Sequence, residues 1–146
     1  MPYSLHQSKT PWKLFLDDVR EAPEGWVLAR SVAEAQTMVQ ELGIPQEISF
    51  DHDMEFHVPK GLPTGKLIER VSGFYAPGVA LDPTGLDFAD WISAHTIEGS
   101  LLPDGFIYYV HSANQRGAAM IRDRMLRATG KQPAGWYEWY LPKGGL

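Results

Sequence analysis

Residues 13–18 of this 146-residue chain read KLFLDD, a short apolar run that ends in two acids. Such a run indicates a buried β-strand whose carboxyl end carries charge. Two later stretches repeat the pattern, ISFDHD at residues 48–53 and FIYYVHSAN at residues 106–114. With WVLA at residues 26–29, they make four predicted strands.

Helices are predicted between these strands. Residues 31–42 open with a capping-box pair, Ser31 and Glu34, and carry apolar side chains on one face. A second helix is predicted over residues 84–95 and a third over residues 115–129. Strands that alternate with helices predict an α/β fold with a parallel sheet.

The length suits one domain, residues 1–146. Residues 1–12 are polar and turn-rich, and we expect a loose N-terminal arm there. Residues 55–84 are rich in Gly and Pro and too long for an ordinary connection, which predicts an insertion or lid. The aromatic C-terminal segment, residues 131–146, is expected to form a last strand or a flap over the core.

Composition excludes several classes of function. A net charge of −5 argues against a broad nucleic-acid-binding surface. The chain has no cysteine, which rules out disulfides and thiolate metal sites and fits a reducing compartment. There is neither a secretory leader nor an apolar run of membrane-spanning length. We therefore expect a cytoplasmic protein that does not interact with membranes.

Polar side chains follow three of the predicted strands. They are Asp17 and Asp18; Asp51, His52 and Asp53; and His111, Ser112 and Asn114. In an open parallel sheet, ligands bind at the carboxyl ends of the strands, so these groups are expected to converge. Clustered carboxylates repel one another unless a cation binds or some are protonated. Aspartate oxygens suit Mg²⁺ first, with Mn²⁺ or Ca²⁺ as alternatives, whereas any one of these acids alone is equally well a solvated turn residue.

Two histidines extend the chemistry of this predicted site. An imidazole beside carboxylates can ligate a transition metal or act as a general acid or base. His111 is the stronger candidate, because Ser112 and Asn114 follow it into a helix start. His52 is more simply explained by a local hydrogen bond.

The helix start that follows His111 suits a phosphate. Ser112, Asn114 and Gly117 would surround an anion at the helix N-terminus, and Asn114 is also a natural N-cap. Arg20 can reach the same edge, or pair with a neighbouring glutamate at the surface. Lys66, in the predicted insertion, would close over an anionic ligand or simply be solvated.

Four motifs in order carry a resemblance to a known family. They are LFLDDVREAP at residues 14–23, SFDHD at 49–53, TGLD at 84–87, and VHSAN at 110–114 followed by Gly117. Together they resemble the cyclic-phosphate processing receiver-like domain family, which is similar to response-regulator receivers. The resemblance spans residues 13–128. It implies a receiver-like (flavodoxin-like) three-layer sandwich with a mainly parallel sheet of four to five strands and a long insertion after the third.

The resemblance also implies roles for individual residues. Asp17 and Asp18 match the receiver acidic pair that binds Mg²⁺, and Asp51 matches the acid that accepts a phosphoryl group in true receivers. Ser112 lies near the receiver's Thr/Ser switch position. Three polar residues are additional to the receiver pattern and favour turnover over switching: His52, Asp53 and His111.

Two functions follow as hypotheses. The first is a phosphoesterase, dependent on Mg²⁺ or Mn²⁺, that acts on a cyclic phosphate or nucleotide phosphodiester. Its catalytic residues would be His111, Asp51 and His52, and its metal ligands Asp17, Asp18, Asp51 and Asp53. The second is a non-catalytic module that binds a nucleotide or a protein partner, for signalling or sequestration. The aromatic C-terminal segment would allow such a module to form a homo-oligomer.

Overall fold

A computed structural model describes residues 5–54 and 83–141 of the chain. In this part of the chain five parallel strands form one sheet in the order β2-β1-β3-β4-β5. The strands are β1 Lys13–Leu16, β2 Val27–Ala29, β3 Glu47–Phe50, β4 Ile107–Val110 and β5 Gly135–Trp136. The predicted parallel sheet is confirmed, with the fifth strand contributed by the C-terminal segment.

Three helices occupy the predicted positions: α1 Val32–Leu42, α2 Gly85–His95 and α3 Gln115–Thr129. The capping box of α2 is complete, because Thr84 and Asp87 exchange both hydrogen bonds. The box predicted for α1 is only half formed. Ser31 accepts the backbone N–H of Glu34, but the Glu34 carboxylate accepts the N–H of Arg30 instead of that of Ser31. No helix in the described ranges combines the length and apolarity needed to cross a bilayer.

The described helices pack on one face of the sheet. The crossovers from β2 to β3, β3 to β4 and β4 to β5 all step in the same direction, so right-handed connections place all three helices on the same side. The core on this face includes Leu16, Phe50, Val110, Val39, Ile92 and Ile121. Burial of these side chains stabilises the fold by about 1.5–3 kcal/mol each.

The opposite face is covered by aromatic side chains. We call Trp26, Trp139 and Tyr140 the aromatic layer. Trp139 stacks on Tyr109 with ring centroids 4.1 Å apart, and Tyr140 meets Phe15 edge-on at 5.6 Å. Within the described residues this layer stands where the three-layer prediction expects helices, because the β1–β2 connection contains none. The receiver-like α/β fold is confirmed, with its third layer in this form.

The N-terminal residues correct one expectation. Leu5 is buried, and the carbonyl of His6 accepts the N–H of Ile44 at 2.7 Å. The indole of Trp12 donates to the carbonyl of Gly43 at 3.1 Å. Residues 5–12 are therefore docked on the end of α1 instead of forming a loose arm. The predicted insertion falls, for residues 55–82, outside the described residues.

The start of α2 lies directly against the end of β3. The N–H of Gly85 donates to the carbonyl of His52 at 3.0 Å. A Cβ on Gly85 would collide with the backbone carbonyl of Asp51. The absence of a side chain at Gly85 thus lets the helix brace the loop that carries Asp51.

The substitution Gly85→Ala tests this contact. Alanine is intrinsically the better helix former by about 1 kcal/mol, so propensity alone predicts a more stable protein. Because the added methyl meets backbone, we expect the free energy of unfolding to fall by about 1–3 kcal/mol in urea denaturation. Thr84→Ala is the comparison, since it removes only the cap and should cost about 1 kcal/mol. A Gly85→Ala protein as stable as wild type would contradict the close contact.

Candidate functional site

The two-residue period of the strands assembles the site. Strand register places Phe15, Ser49 and Tyr109 side by side. Two residues further along each strand, on the same face, lie Asp17, Asp51 and His111, which we call the row. Each offers one ligand atom, and these atoms all lie within 4.8 Å of one another. The row lies at the carboxyl edge of the sheet, as the strand ends predict.

Asp17 is fully buried and accepts four hydrogen bonds. Its Oδ1 accepts the backbone N–H groups of Val19 and Arg20, both at 2.8 Å. Its Oδ2 accepts from the Arg20 guanidinium and bonds with Nε2 of His111, both at 3.0 Å. Burial alone would raise the pKa of Asp17, but the hydrogen bonds from His111 and Arg20 outweigh it and lower the pKa. Asp17 is therefore a carboxylate at any physiological pH.

Arg20 holds a positive charge between two acids. Its Nη1 lies 3.0 Å from Oδ2 of Asp17 and 3.5 Å from Oδ2 of Asp51. The alternative of a surface pair with a nearby glutamate is not adopted, because Arg30 makes the ion pair with Glu21. The side chain of Arg20 is still 32% exposed, so it borders both the buried acids and solvent.

Asp51 behaves oppositely to Asp17. Burial and the negative charge of Asp17 raise its pKa to about 7, against the lowering effects of Arg20 and of a hydrogen bond from Ser112. The pKa values of two neighbouring carboxyl groups are thus shifted in opposite directions, which is typical of sites that use one ionised and one protonated carboxyl group. Asp51 changes protonation near neutral pH.

His111 lies beneath the site, not at its surface. The ring is fully buried, stacks on Phe15 at 4.1 Å, and uses both nitrogens, Nδ1 with Ser49 and Nε2 with Asp17. Burial lowers its pKa despite the support of Asp17, so the imidazole is neutral at physiological pH. In this arrangement His111 acts on Asp17 and has no open path to a ligand.

An open cleft of about 250 Å³ adjoins the row. Its polar wall contains Asp18, Arg20, Asp51 and Asp53, and its apolar wall contains Val19, Met54 and Ala113. The structure thus brings together at one cleft three of the acids and the arginine named by the sequence. Asp18 stands half-buried at this wall.

The remaining predicted residues form the rim of the site. Asp53 accepts from Nδ2 of Asn114 and bonds with Nδ1 of His52, both at 2.9 Å. Asn114 caps α3 by accepting the N–H of Gly117, and the ring of His52 covers the place of a Cβ on Gly117. These contacts tie the two loops together and occupy the N–H of Gly117. His52 lies outside the buried row.

Ser112 is buried beside Asp51. Its Oγ accepts the N–H of Asn114 at 3.1 Å and also bonds with the Asp51 carboxyl group. It therefore supports Asp51 more directly than it faces the cleft. Lys66 lies outside the described residues.

Sequence reasoning missed two residues of the site. Ser49 contacts His111, and Trp139 donates its indole N–H to Ser49 at 3.0 Å. The available signal was a serine inside an otherwise apolar strand, since a buried hydroxyl requires a partner. The location of Trp139 had no local signal.

The donor set fits a hard cation. Asp17 and Asp51 offer carboxylate oxygens, with Asp18 and Asp53 at the adjoining wall, and all-oxygen sets suit Mg²⁺ or Mn²⁺. The Arg20 guanidinium already demonstrates that a positive group is stable between the acids. His111 is less suited as a ligand while its Nε2 is bonded to Asp17.

Comparison with known proteins gave one family. Residues 12–127 match the family model described as the Cyclic-phosphate processing Receiver domain. Searches of curated proteins and of solved structures returned no match. The matched segment contains the row and the cleft, and it ends before β5 and Trp139.

The raised pKa of Asp51 predicts a pH-dependent stability. Between about pH 4 and pH 7 the unfolded chain releases this proton while the folded protein retains it. The free energy of unfolding therefore falls as pH rises, by up to about 1.4 kcal/mol per pH unit. In a chelator, we expect Asp51→Asn to be more stable than wild type at about pH 8, with the difference shrinking toward about pH 4.

Denaturant unfolding at both pH values measures this difference. Asp123→Asn is the matched control, because it removes an exposed carboxylate of α3 that is outside the row. An Asp51→Asn effect that does not change with pH would show that Asp51 is ionised in the folded protein.

Proposed function

Because the chain belongs to the cyclic-phosphate processing receiver domain family, we propose that it is a metal-dependent phosphoesterase acting on a cyclic phosphate or a nucleotide phosphodiester. One observation carries the proposal. Ligand atoms of Asp17, Asp51 and His111 lie within 4.8 Å of one another beside an open cleft with both acidic and apolar walls.

Asp17 and Asp51 would hold Mg²⁺ or Mn²⁺, with Asp18 and Asp53 at the cleft wall as further donors. When bound, the metal would neutralise charge on phosphoryl oxygens and lower the pKa of a bound water. Asp17 suits a permanent ligand, because its pKa is lowered and its orientation is fixed by hydrogen bonds. His111 serves as the positioning residue for that carboxylate.

Arg20 would bind the phosphate. A cation between Asp17 and Asp51 competes with the guanidinium for the same oxygens. Arg20 already borders the cleft. Once a cation displaced it from the acids, the several N–H donors of its guanidinium would be free to bind a phosphate there. Exchange of arginine for metal would thus couple metal loading to anion binding.

Asp51 suits proton transfer at neutral pH. While no cation is bound, Asp51 has a pKa of about 7 and is available in both protonation states, as general acid or base catalysis requires. As a ligand of the cation it would be held as the carboxylate, so these two roles of Asp51 are alternatives. Asp51 could instead attack phosphorus as the carboxylate and break one P–O ester bond, so that the ester oxygen leaves with a proton and an aspartyl-phosphate intermediate forms for water to hydrolyse, as the receiver relationship permits. Val19, Met54 and Ala113 provide an apolar surface for the organic part of the substrate.

A second candidate is a binding module that sequesters a phosphate ligand without cleaving it. The ion pairs of Arg20 with Asp17 and Asp51 favour this alternative, because the guanidinium offsets negative charge in the site without a metal. Homo-oligomerisation remains a prediction. Trp139 and Tyr140 are used within the fold, which leaves Trp136 and Tyr137 as the exposed aromatics of that segment.

A substrate screen tests the proposal. We expect multiple turnovers on at least one of the 2′,3′-cyclic nucleotides, cyclic dinucleotides or ADP-ribose cyclic phosphate, dependent on Mg²⁺ or Mn²⁺. Asp17→Asn and Asp51→Asn should each lower kcat/KM by about 100-fold or more. Arg20→Ala should chiefly raise KM, by about tenfold, since a charged hydrogen bond is lost.

Asp123→Asn is again the control and should retain full activity. Tight binding of a ligand that is never hydrolysed would favour the sequestering module. The phosphoesterase proposal would be refuted if wild type neither hydrolysed nor bound any of these compounds and Asp17→Asn gave the same result in both assays.

A further inference from the structure

A chain of hydrogen bonds runs from the aromatic layer to the row of Asp17, Asp51 and His111. Nε1 of Trp139 donates to Oγ of Ser49 at 3.0 Å, and Oγ lies 2.7 Å from Nδ1 of His111. Nε2 of His111 lies 3.0 Å from Oδ2 of Asp17. Ser49, His111 and Asp17 are all fully buried, so water does not compete for these bonds.

Donor chemistry fixes the direction of each bond. Both oxygens of Asp17 already accept N–H donors from Val19 and Arg20, so the proton in its bond with His111 belongs to Nε2. The hydroxyl proton of buried Ser49 also needs an acceptor, and Nδ1 of His111, 2.7 Å away, provides one when it is unprotonated. The indole of Trp139 can only donate, and Oγ of Ser49 accepts it with a remaining lone pair.

Ser49 is not a nucleophile, although a serine, a histidine and an aspartate joined by hydrogen bonds are also the components of a hydrolase triad. Its hydroxyl is completely buried beneath Trp139, and its proton is directed to Nδ1. A substrate in the cleft cannot reach it. The chain therefore serves position, not covalent chemistry.

Trp139 is held firmly where it makes this bond. Its ring stacks on Tyr109 and lies 5.3 Å from Trp26. Tyr137 adopts a left-handed φ of 63°, which reverses the chain after β5. A Cβ on Gly135 would lie 2.7 Å from Cβ of Trp139, so only glycine permits this approach. Several features of the segment thus converge on one indole N–H.

We propose that Trp139 and Ser49 are positioning residues for the site, which hold His111 as its Nε2–H tautomer and thereby fix the carboxylate of Asp17. The consequence for metal binding rests on the proposed function, whereas the tautomer does not. Outer partners of metal ligands affect metal affinity because they fix the ligand before the ion arrives. The C-terminal segment, which lies beyond the family match, becomes part of the site.

Three variants test this chain of hydrogen bonds from Trp139 to Asp17, which we call the relay. Trp139→Phe keeps an aromatic ring but removes the donor, and Ser49→Ala removes the hydroxyl. Trp26→Phe is the matched control, because it likewise replaces an indole of the aromatic layer by a phenyl ring and so keeps a ring against Trp139, while the hydrogen bond from Trp139 to Ser49 is retained. Thermal unfolding of each variant verifies that it remains folded.

The first readout is ¹⁵N NMR of the metal-free protein at about pH 8, where ordinary histidines are neutral. In wild type, we expect Nε2 of His111 to be protonated and Nδ1 to resonate as an unprotonated acceptor. In Ser49→Ala the Nδ1 resonance should shift to that of a nitrogen without a hydrogen bond. Trp139→Phe should shift Nδ1 in the same direction and speed solvent exchange of the Nε2 proton, and Trp26→Phe should do neither.

The second readout is the dissociation constant of Mn²⁺ alone. Ser49→Ala should weaken binding by about tenfold, the low end of the effect of outer partners, and Trp139→Phe by about threefold or more. Trp26→Phe should change it by less than about twofold.

Each outcome decides one claim. A proton on Nδ1 in wild type would overturn the assigned relay. If the Trp139→Phe protein kept the His111 resonances and the Mn²⁺ affinity of wild type, Trp139 would not be part of the relay. If wild type binds no Mn²⁺ while the resonances behave as expected, the metal-dependent function fails and the relay stands.

Discussion

The site depends on the complete burial of one carboxylate, that of Asp17. A buried negative charge without partners would be strongly destabilising, so every acceptor position of Asp17 has to be satisfied by a donor. Two of these donors are backbone N–H groups of the loop after β1, which fixes the path of that loop. The other two are the side chains of Arg20 and His111, so the same charge also sets their orientation.

The charge of Asp17 also determines the chemistry of Asp51. Because Asp17 remains ionised, its field adds to the effect of burial and favours the protonated form of Asp51. Arg20 opposes this effect without cancelling it. Two aspartates in one row thus differ in function for an electrostatic reason: one is a fixed charge and the other exchanges its proton near neutrality.

Local signals predicted the elements, and the strand ends predicted the location of the site. The bounds predicted for the second and third helices, residues 84–95 and 115–129, depend on patterns a few positions apart, and the structure has these helices at Gly85–His95 and Gln115–Thr129. The docking of residues 5–12 on the end of α1 depends on contacts across more than thirty positions, as between Trp12 and Gly43, and left no local pattern. The partners in the bonds beneath the site were equally hidden, since Ser49 lies 62 positions from His111 and Trp139 lies 90 positions from Ser49. What sequence could not supply was which polar atoms satisfy one another.

The aromatic layer supplies a hydrogen-bond donor to the polar groups beneath it, which the apolar stripe of a packed helix would not do. Among the described residues, the helix-free face of the sheet carries a buried polar row, including Ser49 and His111. The apolar stripe of a packed helix offers no hydrogen-bond donors, because its backbone N–H groups are used within the helix. Trp139 offers an extended apolar surface and one N–H at its edge, so it excludes water from the row and satisfies Ser49 with the same side chain. In the part of the chain that the structure describes, aromatic side chains thus both cover this face and satisfy the polar groups beneath them, next to the buried charge of Asp17.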